Sequence, residues 1–148
     1  MSRSRRRCGS SASLRPIRTA LPRHQTLRAT LDWSHDLLSK SEQMVLRRLA
    51  IFAGGFTLTA TTAVLASAGI AATDVVDGIA NLVAKSLVRA DVAEGPAEYR
   101  LLETTRAYAL EKLSENGELD PIARRHAEYY LDLFERAEAE WETRRSAE

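Results

Sequence analysis

Four short helix-forming segments precede two strand-forming segments in this chain, and that order constrains its fold more than any other feature. In the first of them, apolar residues recur every three or four positions, as on one face of a helix, and capping and stop signals bound the other three. Ser39 and Glu42 have the spacing of a capping box, and Gly54 follows the second segment. The predicted helices cover about residues 25–38, 41–52, 57–68 and 73–85, with caps at Thr57 and at Thr73-Asp74.

Two β-compatible segments follow, Ser86 to Val92 and Glu98 to Leu102, joined by five turn-rich residues. A linker of this length and composition predicts a β-hairpin. A further helix is predicted to end at Asn116-Gly117, and a long one to begin at about Leu119. We therefore predict a mainly α protein: a winged helix-turn-helix of four helices, a β-hairpin wing and a helix, followed by a long C-terminal helix.

Charge is distributed unevenly along the chain. The first 28 residues hold eight arginines and no acid, which leaves 13 of the 21 basic residues against all 20 acidic residues in positions 29–148. A basic arm, residues 1–17, is predicted to be disordered and to precede an acidic body. Because DNA binding depends on neutralising phosphates, the acidic body weighs against a nucleic-acid partner.

No motif for catalysis is present in the sequence. No glycine is followed by lysine, which excludes the phosphate-binding P-loop, and no Gly-x-Ser-x-Gly sequence marks a nucleophile. The single cysteine and three separated histidines do not have the spacing of metal ligands. We predict that the protein is not an enzyme and that it holds no metal and no cofactor.

The 25 residues from Leu49 to Thr73 carry no charge, a length at which a membrane span must be considered. Six of them are serine or threonine and Gly54-Gly55 interrupts the stretch, so two short buried helices are the better prediction. The arginine-rich start also lacks the apolar stretch of a secretory signal. These features favour the cytoplasm and no membrane partner.

The isolated histidines and tryptophans are predicted to be structural. His35 lies between a serine and an aspartate, but neighbours on a helix point in different directions, so a polar helix face is predicted. His126 falls on the apolar stripe of the last helix and is predicted to be a partly buried packing residue. Trp33 and Trp141 are predicted to be packing anchors.

The fourth helix stands where a DNA-binding winged helix has its recognition helix. The residues predicted to face the core are Val75, Val76, Ile79, Leu82 and Val83, and those predicted to face outward are Asp74, Asp77, Gly78, Asn81 and Lys85. The candidate DNA contacts are Asn81 and Lys85 on this helix and Arg89 and Arg100 in the wing. Because acids on the same surfaces would repel phosphate, DNA is a possible but not a favoured partner.

Four blocks of sequence resemble, in order, the winged-helix region after the nucleotide-binding core of bacterial STAND and NB-ARC-type ATPase transcriptional regulators. They are residues 31–38 (LDWSHDLL), 47–56 (RRLAIFAGGF), 82–88 (LVAKSLV) and 99–109 (YRLLETTRAYA). His35 stands where tyrosine is usual in that family. Some relatives have a Met-His-Asp motif whose histidine approaches the nucleotide, but the resemblance aligns Leu102 with it, which cannot hydrogen-bond a phosphate.

The resemblance covers about residues 18–141. From Arg124 onward, the sequence is similar to the opening of the family's helical-repeat (TPR-like) sensor domain. It implies a winged-helix domain at residues 18–117 and the start of the helical-repeat region at residues 118–148. It also implies ATPase-core and helical-repeat partners, which are in cis in relatives and would be in trans if this chain is complete.

The leading hypothesis is a non-catalytic winged-helix module, a fragment of a STAND-type regulator, that couples nucleotide state to the repeat sensor domain through packing. The alternative is a winged-helix DNA-binding transcriptional regulator. A third hypothesis is a nonfunctional fragment, whose last helix would expose Ile122, Tyr130 and Leu133 without a repeat partner.

Overall fold

Helices make up most of the chain over the residues that the structure, a computed structural model, describes: 22–67 and 69–146. In this part of the chain, four helices, a two-stranded antiparallel hairpin and two more helices follow one another. Their bounds are α1 Pro22–Asp36, α2 Lys40–Leu49, α3 Leu58–Leu65, α4 Ala72–Ala84, β1 Val88–Asp91, β2 Glu98–Leu101, α5 Glu103–Glu115 and α6 Leu119–Ser146. The predicted mainly α winged helix-turn-helix with a long C-terminal helix is confirmed. The predicted basic arm lies outside the described residues.

The core is built around α2, which packs against both α4 and α5. The α2 residues Val45, Leu46 and Leu49 are at most 2% exposed. They belong to one apolar cluster with Leu82 of α4 and Leu113 of α5. Burying a side chain of this size contributes about 1.5–3 kcal/mol, so this contact orients the neighbouring helices around α2.

Side-chain caps begin α2 and α3 as predicted. The Ser39 hydroxyl accepts from the Glu42 N–H at 3.2 Å, and the Glu42 carboxylate accepts from the Ser39 N–H at 2.8 Å. The Thr57 hydroxyl accepts from the Ala60 N–H at 3.2 Å. These contacts satisfy backbone donors that the first helical turn leaves without partners.

The predicted cap of α4 at Thr73 is wrong, because the helix begins two residues after Ile70, with Ala71 at the N-cap position. Ile70 is buried and pairs with Ser67, so the chain is already positioned to turn into the helix. Asp74 then supplies the capping acceptor, since its carboxylate accepts from the Ala71 N–H at 3.3 Å.

The first helix, α1, has no buried residue and is held mainly by polar contacts. The Tyr108 hydroxyl donates to Asp32 at 2.8 Å, and Arg28 forms an ion pair with Glu111. The prediction that Trp33 is a packing anchor is wrong, since it is 66% exposed. The contacts of α1 include α5 and a hydrogen bond from Gln43 of α2 to the His35 carbonyl, and Trp33 lies outside them.

The last helix, α6, packs on the winged helix only along its first turns. Ile122 is buried and Tyr130 is half-buried, so the prediction that both would be exposed without a repeat partner is wrong, whereas Leu133 is exposed as predicted. His126 packs between Phe52 and Tyr130, with ring centroids 5.1 and 4.7 Å away, as predicted. Residues 131–146 are all exposed, including Trp141, which was predicted to anchor packing.

An ionic cluster joins α2 to the start of α6. Glu118 forms ion pairs with Arg47 at 2.5 Å and with Arg48 at 2.6 Å. Arg48 also donates to the Leu65 carbonyl at the end of α3. Burial acts to raise the pKa of Glu118, but hydrogen bonds from Arg48 and Arg47 outweigh it and hold that pKa below its ordinary value.

Replacing Glu118 with glutamine is expected to lower the free energy of unfolding by about 1.5–3 kcal/mol at neutral pH, because charge-assisted hydrogen bonds are lost. Since folding lowers its pKa, Glu118 stabilises the fold above its unfolded-state pKa, and this contribution disappears as pH falls through the folded pKa. Urea unfolding as a function of pH should therefore show a shallower loss toward acid for Glu118→Gln than for wild type. Equal slopes, or the same change in the exposed control Glu128→Gln, would contradict this prediction.

Truncating a side chain is expected to affect the free energy of unfolding differently in the packed and the projecting halves of α6. Ile122→Ala should lower the free energy of unfolding by about 2–5 kcal/mol, because it leaves a cavity in the core. Phe134→Ala should change it by less than about 0.5 kcal/mol, because Phe134 is 70% exposed. Chemical denaturation of both variants checks this, and effects of equal size at Ile122 and Phe134 would contradict it.

Candidate nucleic-acid interface

The fourth helix, α4, presents one face to the core and another to solvent. Val75, Ile79 and Leu82 are buried, as predicted. Val76, predicted to face the core, is 36% exposed, and Gly78, predicted to face outward, is buried. The described exposed residues of the helix are Ala72, Thr73, Asp74, Val76, Asp77, Ala80, Asn81 and Ala84.

Close packing against α2 determines this orientation of α4. A Cβ atom at Gly78 would lie 2.8 Å from Cγ2 of Val45, which is nearer than atoms in van der Waals contact. Only a residue without a side chain allows this approach. The helix is thereby rotated so that Gly78 faces α2 and Val76 faces outward, which explains both errors in the predicted face.

The connection between α3 and α4 is a tight turn. Ser67 and Ile70 exchange backbone hydrogen bonds of 3.1 and 3.0 Å. Gly69, between them, has φ of +104°, a conformation that favours glycine. This turn joins the two helices in the helix-turn-helix arrangement, with α4 as the second helix.

The wing is a hairpin whose register places arginine opposite arginine. Val88 pairs with Leu101 and both are buried, whereas Arg89 pairs with Arg100 and both are exposed. Side chains alternate between the two faces of a strand, so the paired arginines share the outer face. Asp91 pairs with the acidic Glu98 and lies on that same face, towards the tip.

A third backbone segment anchors the wing to the domain. Phe56 and Tyr99 exchange two backbone hydrogen bonds of 2.8 Å, and their rings stack with centroids 6.3 Å apart. Because Phe56 is buried in the core, this bridge holds β2 against the helical body. The wing is therefore a positioned element.

The four candidate DNA contacts differ in their availability. Asn81 is exposed on α4, and Arg89 and Arg100 are exposed together on the wing. Among the described residues, neither wing arginine forms an ion pair. Lys85, at the end of α4, is held by an acid of the same chain.

Sequence reasoning did not identify that acid, Glu42. The Lys85 amine lies 2.8 and 2.7 Å from the two carboxylate oxygens of Glu42. Hydrogen bonding from Lys85, and then from the backbone of Ser39, lowers the pKa of Glu42. The capping box at Ser39 positions Glu42 locally, but only the tertiary packing of α2 on α4 brings it to a residue 43 positions away.

Acidic residues occupy the remaining charged positions of this surface. Asp74 and Asp77 are exposed on α4, and Asp91, Glu94 and Glu98 are exposed in the wing. Lys85 is the one basic residue from position 72 to position 86. Because phosphate contacts supply much of DNA affinity, the surface can offer only modest electrostatic attraction.

Other chemistry finds little support in residues 22–67 and 69–146. No group of three or more histidine, cysteine, aspartate or glutamate side chains in these ranges could hold a metal ion. His35, predicted to lie on a polar face, packs edge-on against Tyr108 at 5.8 Å, and burial, then the nearby Lys112, lowers its pKa. None of the helices in these ranges is long and apolar enough to span a membrane.

Comparison with known proteins finds similarity to winged helix-turn-helix proteins. The winged helix-turn-helix domain family matches residues 38–114, which include α2 to α4 and the wing. A Mycobacterium tuberculosis protein provisionally named an HTH-type transcriptional regulator is 53% identical over 117 residues, or 79% of this chain and 13% of that protein. A Mycobacterium bovis protein with the same provisional description matches equally.

An uncharacterised Mycobacterium tuberculosis protein is 46% identical over 106 residues, or 71% of this chain and 27% of its own length. The chain thus spans a small part of the curated relatives it matches. No solved structure matches it significantly.

A larger side chain at Gly78 is expected to displace α4. Gly78→Leu should lower the free energy of unfolding by about 1–3 kcal/mol, because its side chain overlaps Val45. Ala80→Leu is the matched control on the exposed side of the same helix and should change stability by less than about 0.5 kcal/mol. Urea denaturation measures both, and equal effects would contradict the close packing of α4 on α2.

Proposed function

Because the chain belongs to the winged helix-turn-helix domain family, we propose that it acts in bacterial transcriptional regulation by contacting DNA through α4 and the wing. The observation that carries the proposal is the pairing of Arg89 with Arg100 on the outer face of an anchored hairpin. The relatives provisionally named HTH-type transcriptional regulators support the same class of function.

Each candidate residue has a chemically distinct role in this proposal. The two wing arginines supply positive charge and planar donors for phosphate groups. Asn81, exposed on α4, carries an amide that can pair with adenine in the major groove. Arg89 and Arg100 therefore provide affinity, whereas Asn81 provides sequence preference.

Charge sets the expected strength of binding. Asp74, Asp77 and the wing acids oppose the approach of phosphates to the same surface. We expect a dissociation constant of about 10⁻⁶–10⁻⁴ M near physiological salt, in the range of non-specific binding, and a marked gain at low salt. Such a domain would need a longer protein or a second site to act as a selective regulator.

The test is a fluorescence anisotropy titration of the 148-residue chain with duplex DNA at several salt concentrations. Arg89→Ser/Arg100→Ser should weaken binding about tenfold or more at low salt and lower the salt slope by about 1.8, since two phosphate contacts are lost. The matched control is Arg144→Ser/Arg145→Ser, which removes two arginines from the exposed end of α6. It should change affinity less than about twofold.

Two results would overturn the DNA proposal. One is no binding by the folded chain even at low salt. The other is an equal loss in the wing and α6 double variants, which would show that binding follows net charge and not the interface. In the first case the second candidate function below becomes the better explanation.

The second candidate is a non-catalytic protein-contact module in a STAND-type ATPase regulator. Residues 118–148 would begin a helical-repeat region after a winged-helix domain at 18–117. The specific observation that favours it is the projecting half of α6, residues 131–146, which is exposed throughout and includes Leu131, Phe134 and Trp141. A groove between α1 and α5, lined by Leu27, Leu31 and Ala107 among others, adds apolar surface.

These two functions predict different effects of the same variants. If the domain transmits state through protein packing, Phe134→Ser and Trp141→Ser should disrupt its association with an ATPase core and leave DNA titrations unchanged. If the domain contacts DNA, the wing variants should alter DNA affinity and leave that association unchanged. Size-exclusion chromatography with a purified core, beside the anisotropy titration, separates the two.

A further inference from the structure

We infer that Glu42 masks Lys85, so that the cation at the end of α4 is withheld from DNA phosphate in the resting domain. This inference rests on the proposed DNA-binding function and deepens it. In this inference, Glu42 competes with DNA phosphate for Lys85 and thereby limits the affinity of the interface for DNA.

The geometry of the pair supports masking. Both carboxylate oxygens of Glu42 lie within 2.8 Å of the Lys85 amine, so the amine donates to both of them. The Glu42 side chain is 9% exposed and the Lys85 side chain is 42% exposed. A partly exposed lysine that is held by a nearly buried acid is close enough to the surface to change partners, while its acid is not free to follow.

Glu42 is also held from a second direction. Its carboxylate accepts from the Ser39 N–H at 2.8 Å, and Ser39 is fixed in turn by the capping box of α2. Lys85 is the C-cap residue of α4, and its backbone N–H bonds to the Asn81 carbonyl. Lys85 therefore lies one helical turn after the exposed Asn81, at the end of α4 that the ion pair with Glu42 connects to α2.

The consequence concerns charge on the interface. Lys85 is the one basic residue between positions 72 and 86, so while it is paired the charges that α4 presents to solvent are the acids Asp74 and Asp77. Release of Lys85 would add one phosphate contact to those of the wing. To bind Lys85, a DNA phosphate must displace the Glu42 carboxylate from the lysine amine. Among the described residues, Glu42 forms no other ion pair.

The experiment is a double-mutant cycle measured by DNA anisotropy titration on the full chain. Glu42→Gln keeps a side-chain oxygen for the capping box, because glutamine serves at this position too. We expect it to tighten DNA binding about threefold to tenfold at low salt and to steepen the salt slope by about 0.9, the value of one phosphate contact. Lys85→Met provides the background in which the effect of Glu42→Gln is measured without the lysine.

The double variant Glu42→Gln/Lys85→Met should bind DNA about as tightly as Lys85→Met alone, so that Glu42→Gln gives no gain in that background. This arm separates release of Lys85 from a general effect of removing a negative charge, which would persist without the lysine. Glu142→Gln, on the exposed end of α6, is the control for net charge and should bind like wild type. Circular dichroism and urea unfolding establish that each variant folds.

The outcomes separate the inference from the function on which it rests. If wild type binds DNA and the wing variants weaken it, but Glu42→Gln binds like wild type, masking is wrong and the proposed function stands. If Glu42→Gln tightens binding equally in the wild-type and the Lys85→Met backgrounds, the gain comes from removing a negative charge and masking is wrong. If neither wild type nor Glu42→Gln binds DNA, both the function and the inference fail.

Discussion

The packing of α2 between α4 and α5 is the constraint on which the rest of the structure depends. Val45, Leu46 and Leu49 are buried there, and Gly78 of α4 approaches Val45 too closely for any side chain. Ion pairs then extend from both ends of the helix. Glu42 reaches the end of α4, and the two arginines at the other end reach Glu118 before α6. The orientation of α4, of α5 and of the start of α6 therefore depends on one ten-residue helix.

That central helix also decides the electrostatics of the surface that would meet DNA. The same contact that orients α4 places Glu42 beside Lys85, so the charge of the helix cannot be read from its composition. The wing is positioned separately, by the bridge between Phe56 and Tyr99, and it carries its arginines outward. The candidate interface therefore has acids on the helix and paired arginines on the hairpin, an arrangement that would suit weak, salt-sensitive contact with DNA.

Much of the fold could be predicted because its signals are local. The spacing of apolar residues, together with cap and stop signals, predicted the helices. The Ser39 and Glu42 capping box was confirmed, and the hairpin followed from its turn-rich linker. Helix faces were less predictable. Apolar character predicts that Val76 lies inside and Gly78 outside, whereas a close helix crossing needs the residue with no side chain.

By itself, the sequence determined the order of elements, the caps of α2 and α3 and the identity of the candidate contact residues, because these depend on neighbours within a few positions. Only the tertiary structure decided which of those contacts are available. Lys85 is taken up by Glu42, Arg89 and Arg100 are brought together by strand register, and Ile122 is covered while Trp141 is not. The physical reason is that ion pairing, register and burial join residues far apart in the chain, and local periodicity carries no information about such partners.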